Sequence, residues 1–312
     1  LCEGKFVMSS YEYRKERFSK MINAWNFDSM HSLLIHKQPE QKLLDDLRFS
    51  IMLYISRAFY FKFTSNEEEF ISRLDASRHI RDNVTPNGGV VPKKEYQVEY
   101  NMVLRSWSKV VDSLTKNDQT LLTKFRMTPN IRIKFGKELE ENEERPLNTS
   151  YPHSDAWVEG PWCMNCFIPL LGDTDGNNLK FWTPKDEENF NDDFLSVAAT
   201  YGEMQWVLEH YQEDLSIKPA KGQVHISDYA LIHATHREQN SGTRVSIDTT
   251  ILVGDHDVHP DRNPEYLDEL EIIGEDLLIS TRRSVKDDFI VDKKTTFSHY
   301  TTGNLKILRH DE

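Results

Sequence analysis

Two imidazoles and a carboxylate stand out in this chain: His153-Ser154-Asp155 and, much later, His233. That set matches the facial triad that holds non-haem Fe(II) through neutral nitrogen donors and one charge while leaving positions open for substrate and oxygen. On a strand, a His-x-Asp pair turns both side chains to one face, because strand side chains alternate with period two. A lone His-x-Asp is common in a chain with 12 His, so the reading needs further partners. Eleven residues after His233 comes Arg244, followed by Ser246. A guanidinium fork and a hydroxyl two apart on a strand can receive a small carboxylate bidentately, which describes a site for a dicarboxylic co-substrate.

The segments Tyr151-Pro152-His153-Ser154-Asp155, Asn177 to Pro184, Gly222 to His233 and Asn240 to Ser246 resemble the Fe(II)/2-oxoglutarate-dependent dioxygenases. The similarity is greatest to the phytanoyl-CoA hydroxylase-like branch, which includes ectoine hydroxylases and aminoglycoside-biosynthesis oxygenases, and it covers about residues 130–253. The resemblance implies a double-stranded β-helix (jelly-roll, cupin-like) core in which His153, Asp155 and His233 bind iron. It also implies that Arg244, supported by Ser246, pairs with the distal carboxylate of 2-oxoglutarate, and that Asn165 steadies the co-substrate from the strand after the His-x-Asp pair. Fe(II), 2-oxoglutarate and O2 are then the expected cofactor and co-substrates, with release of succinate and CO2.

Two departures from the family pattern stand out. Thr183-Pro184-Lys185-Asp186 replaces a Pro-Gly-Ser-His-like sequence, and Ala234-Thr235-His236 follows His233 where relatives often place Gly. His236 is therefore a rival distal ligand, but its eight-residue distance to Arg244 fits the family less well than the eleven from His233. Asp155 at the carboxylate position favours hydroxylation over halogenation and leaves desaturation or ring closure open.

The elements that must position these residues follow from periodicity. In residues 38–61, Leu43, Leu44, Leu47, Met52, Ile55 and Phe59 recur at helical spacing. A second helix begins at Asn66-Glu67-Glu68-Glu69, with Ser65 as the expected cap and acids in the first turn; a third is expected over 93–114. Asn83-Val84-Thr85-Pro86-Asn87-Gly88-Gly89 is turn chemistry. After Pro129 the period changes to two, with Ile131, Ile133 and Phe135 alternating with Arg132 and Lys134. Further strands are expected over 163–170, 179–182, 223–226 and 243–253.

The expected organisation is mainly β with a helical flank. A helical region, 1–125, packs on a catalytic core, 126–254, that carries an acidic, partly helical insertion at about 186–216. A C-terminal extension, 255–312, follows, with a helix or strand pair near 267–279, all within one structural domain. Trp157 and Arg132 are candidate substrate contacts. Cys163-Met164-Asn165-Cys166 reads as two buried structural thiols on opposite strand faces rather than a zinc site.

Composition narrows the partners. With 38 basic and 51 acidic side chains the net charge is −13, which disfavours nucleic acid and anionic membranes and points to a small-molecule substrate. No apolar run approaches the roughly 20 residues that span a bilayer. Three cysteines fit a reducing compartment, so a cytoplasmic protein is expected. The first seven residues lack an apolar signal core and read as a processed end, with Met8 an alternative start. The expected function is hydroxylation of a small polar metabolite, such as a secondary metabolite, an amino acid or a sugar-like compound. The alternatives are a catalytically silent jelly-roll binding module and, below it, a cupin-like zinc hydrolase, which leaves Arg244 without a task.

Overall fold

The computed structural model describes residues 10–31, 33–85, 88–118, 121–125, 128–136, 152–155, 163–185, 211–253, 289–291 and 303–305. Its elements are α1 (Ser10–Trp25), β1 (Asp28–His31), β2 (Leu34–Lys37), α2 (Gln41–Ala58), α3 (Glu67–Ala76), α4 (Gln97–Thr115), β3 (Leu122–Phe125), β4 (Asn130–Lys134), β5 (Met164–Gly172), β6 (Asn177–Pro184), β7 (Tyr211–Glu213), β8 (Val224–Asp228), β9 (Ile232–Arg237) and β10 (Arg244–Val253). Two short strands, β11 (Phe289–Val291) and β12 (Gly303–Leu305), pair with each other in the C-terminal extension. Among the described residues, no helix is long and apolar enough to cross a membrane.

The structure is mostly β, with antiparallel sheets and a helical flank. The large sheet runs β1-β2-β8-β5-β10-β3, and β4 also pairs with β10. The small sheet runs β7-β6-β9, and a β-bridge between His153 and His233 extends it past β9. From β4 onward the chain therefore passes from the large sheet to the small one at His153, back at β5, over to β6 and β7, back at β8, over once more at β9 and back at β10. Phe167 of β5 and Phe181 of β6 stack at 6.4 Å, so the faces carrying these two rings look at one another across the space between the sheets.

The helices form where the apolar spacing places them. Leu44, Leu47, Ile51, Met52 and Ile55 of α2 are buried, and Tyr54 packs on Tyr96 and Tyr100 at 5.5 and 5.4 Å, joining α2 to α4. The cap of α3 is Asn66 rather than Ser65: its side chain accepts from the Glu69 backbone N–H at 2.9 Å, and the Thr64 hydroxyl meets the Glu69 carboxylate at 2.6 Å. The cap thus falls one residue later than expected, at the position from which a side chain reaches the N3 amide. The N-terminal region is not purely helical, because β1 and β2 form a hairpin whose second strand pairs with β8. Strands of four residues are too short to show a period, which hid them in the sequence.

The turn-rich segment near residue 88 is fused to β4. Gly88 sits at φ +81°, and a Cβ there would lie 2.2 Å from the Ile133 carbonyl oxygen, so only glycine fits. The alternation after Pro129 corresponds to β4, where Ile131 and Ile133 are buried between half-buried neighbours. The expected insertion at 186–216 ends in strand β7 rather than helix; residues 186–210 and the expected pair near 267–279 lie outside the described residues.

Candidate metal centre and anion pocket

His153 and His233 face each other through a two-bond bridge, His153 N–H to His233 O at 3.0 Å and the reverse at 2.9 Å. The His-x-Asp pair is thus not on a regular strand: His153 is a single bridge residue and Asp155 lies in a turn. Its carboxylate nevertheless points back between the two rings. Asp155 Oδ1 is 3.7 Å from His153 Nε2, and Asp155 Oδ2 is 3.6 Å from His233 Nε2. One ligand atom from each of the three residues falls within a 4.8 Å cluster, and both imidazoles are buried.

The protonation pattern of His233 suits a ligand. Its Nδ1 lies 3.1 Å from the Leu231 carbonyl oxygen. A carbonyl only accepts, so Nδ1–H donates to it and Nε2 is left facing Asp155, the arrangement in which metal-binding imidazoles are held by a backbone acceptor. Ser154, between the other two, is fully buried and donates its hydroxyl to the Tyr229 carbonyl at 2.7 Å. Two imidazoles and one carboxylate converging from one side make a donor set fit for a divalent first-row metal. His236 lies three residues along β9 from His233, pairs with Asn178 of β6 and is exposed; an odd offset turns it away from this cluster.

Arg244 opens β10, and Ser246 follows on the same face; both are buried. The guanidinium has one long hydrogen bond, Nη1 to Asn178 Oδ1 at 3.5 Å, and its Nε has no acceptor among the described residues. Burial pushes its pKa down from 12.5 to about 10, with Asp248 opposing and Arg132 adding to the fall. Among the described residues this cation has no carboxylate in contact, a costly state for a buried charge.

The remaining candidates are placed as follows. Asn165 of β5 is half-buried and lies in register with Thr250 of β10 and Ser227 of β8. Arg132 is engaged by Asp248, Nε to Oδ1 at 2.5 Å and Nη2 to Oδ2 at 3.2 Å, so its fork is already committed to a carboxylate of the protein. Trp157 lies outside the described residues. Cys163 and Cys166 are buried and form no disulfide among the described residues. His225, fully buried, stacks on Phe167 at 5.1 Å beside His36, and burial holds its pKa down at about 3.

Sequence reasoning missed Asp248, Asn178 and Tyr229. Asp248 had a signal: it is the next position of the same parity after Arg244 and Ser246, and period two carries it to the same face. The other two act through a distant amide and a main-chain oxygen, for which side-chain type gives no cue.

No family model and no curated protein matches the chain. Among solved structures it is similar to an N-substituted L-amino acid dioxygenase from Burkholderia ambifaria AMMD, at 14% identity over 72% of this chain and 83% of that one, with a TM-score of 0.35. It is also similar to the non-heme alpha ketoglutarate dependent epimerase SnoN from nogalamycin biosynthesis, at 12% identity over 85% and 91%, TM-score 0.39. The carbocyclase SnoK from the same biosynthesis gives 10% identity over 78% and 89%, TM-score 0.40. Likeness this distant decides nothing about chemistry, which has to be read from the site's own residues.

Proposed function

We propose that this chain is a non-haem Fe(II)- and 2-oxoglutarate-dependent oxygenase with a double-stranded β-helix core, hydroxylating a small polar metabolite. The observation that carries the reading is a metal-ligand cluster of His153, Asp155 and His233 in the same sheet pair as a buried Arg244 that makes no ion pair among the described residues. A dicarboxylic co-substrate needs such a cation for its distal carboxylate.

His153, Asp155 and His233 would hold the ion. With 2-oxoglutarate and O2 bound, the metal supplies the oxidising power that hydroxylates an unactivated C–H bond and leaves succinate and CO2. The protein's own part is positional. The Leu231 carbonyl holds the His233 ring through Nδ1–H, and Arg244 with the Ser246 hydroxyl fixes the distal carboxylate; Asn165, in register with Thr250 six residues along β10, is kept as a contact to the co-substrate away from that carboxylate. Phe181, 6.1 Å from His233, and Phe167 behind it supply an apolar wall that limits water. Trp157 and Arg132 remain the candidates for substrate contact, Arg132 acting with Asp248.

The test is anaerobic titration of Fe(II) into the apo-protein with 2-oxoglutarate, following the weak visible charge-transfer band of a chelated keto acid. The band is expected in the wild type and lost in Asp155→Ala with the fold intact by circular dichroism. Its absence at saturating metal makes the chain a jelly-roll binding module instead.

A further inference from the structure

The turn between β8 and β9 touches both limbs of the metal cluster. Tyr229 O receives the Ser154 hydroxyl at 2.7 Å, and two residues later Leu231 O receives His233 Nδ1–H at 3.1 Å. Ser154 lies between His153 and Asp155, so one four-residue turn holds all three candidate ligands by their neighbours or their rings. Asp155 needs such a hold most, because it sits in a turn beyond the His153 bridge, where no sheet ladder fixes its direction.

The turn itself is tied from every side. Leu231 N–H donates to Asp228 O at 3.0 Å, Tyr229 N–H to Cys163 O at 3.1 Å and Asp228 N–H to Leu33 O at 3.0 Å. The Tyr229 hydroxyl pairs with Thr250 Oγ1 at 2.7 Å. Asp228 Oδ1 accepts from Ala230 N–H at 2.8 Å and from Arg14 Nη1 of α1 at 2.5 Å. The Arg14–Asp228 side chains are completely buried. A buried ion pair is a poor device for stability, since desolvation offsets its attraction and apolar replacements often do as well; what it supplies is a fixed direction.

We propose that the turn Asp228–Leu231, anchored on Arg14, is the common seat that sets the His153, Asp155 and His233 donors at metal-binding distance. Arg14, Asp228 and Ser154 are then positioning residues, and the N-terminal helix is part of the metal site's support. The inference rests on the metal reading above and extends it to a residue 214 positions from its partner. Outer-shell groups of this kind typically alter metal affinity by 10- to 100-fold.

The test uses the full chain, with Co(II) alone as probe, reading its visible d–d band for affinity and the Co(II)-induced rise in melting temperature. Ser154→Ala removes one hydroxyl, and Arg14→Lys keeps the charge but loses the fork. Both are expected to bind Co(II) about 10- to 100-fold more weakly, with a reduced Co(II)-induced rise in melting temperature and an unchanged apo circular-dichroism spectrum. A merely structural role lowers the apo melting temperature and leaves affinity and increment alone. Wild-type affinity in folded Ser154→Ala overturns the proposal, whether or not the Arg14 variant folds. A wild type that shows no Co(II) band overturns the metal reading itself and the seat along with it.

Discussion

Replacing Arg244 by Met tests whether this cation exists for a ligand or for the fold. The guanidinium is buried and, among the described residues, has one hydrogen bond of 3.5 Å, and burial lowers its pKa from 12.5 to about 10. The sign follows from linkage: a cation whose folded pKa lies below its unfolded value opposes folding at every pH below the folded pKa. At ~1.4 kcal/mol per pH unit the fall is worth on the order of 3 kcal/mol against the ligand-free protein. Arg244→Met, similar in length and apolar, is therefore expected to leave the apo-protein at least as stable as wild type, gaining up to ~3 kcal/mol, or roughly 2–4 °C of melting temperature per kcal/mol. Removing one partner of a buried ion pair costs about 2–5 kcal/mol in binding, so 2-oxoglutarate affinity should fall by roughly two to three orders of magnitude. Thermal-shift titrations with 2-oxoglutarate and with pyruvate, which has no distal carboxylate, read both effects, and pyruvate should treat the two proteins alike. The reasoning fails if Arg244→Met keeps 2-oxoglutarate affinity within about threefold, or if the ligand-free variant loses several kcal/mol of stability.

Two further outcomes follow from burial. His225 holds a pKa near 3 because burial and the adjacent His36 oppose its charge; an unfolded imidazole titrates near 6.5, so stability is lost as pH falls below 6.5 toward 3. The loss from this residue is about 2 kcal/mol by pH 5. Urea midpoints at pH 7 and pH 5 should differ less in His225→Phe than in wild type, and equal differences would remove His225 from the account. Burial also pushes the Cys166 thiol up to about 12, so iodoacetamide at pH 8 should leave it unmodified in the native protein and alkylate it in urea; native labelling at the denatured rate contradicts its placement.

What the sequence disclosed depended on how much a residue's role is written in its own type and local spacing. His153, Asp155, Arg244 and Ser246 are chemically distinctive and spaced within short windows, so their types pointed to one chemistry before any fold was known. The choice between His233 and His236 rested on distance to Arg244, whereas in the fold the odd spacing along β9 separates them, a test that required knowing that 232–237 is a strand. The hairpin of β1 and β2 was hidden by its shortness, and its place beside β8 is a pairing across nearly two hundred residues. Arg14 could not be found at all from the sequence: an Arg in a helix is ordinarily a solvated charge, and only the fold brings it to Asp228.

The last strand shows why these polar residues form a site rather than a wet surface. All ten residues of β10 are buried, yet Arg244, Ser246, Asp248 and Thr250 alternate with Val245, Ile247, Thr249 and Ile251. Where one face of a strand meets water, alternation records that water; here neither face does. The polar side is in register with Phe167, whose ring reaches Phe181, so it looks into the space between the sheets. Toward its far end that side is matched within the protein, Thr250 by Tyr229 and Asp248 by Arg132 and Asn130. Toward its start the matching stops, and among the described residues Arg244 is left with one long bond. A closed core would not retain such a charge, because an apolar residue of the same volume packs there at lower cost. The imbalance along a single strand thus marks its Arg244 end as the place where an added anion would relieve the greatest cost.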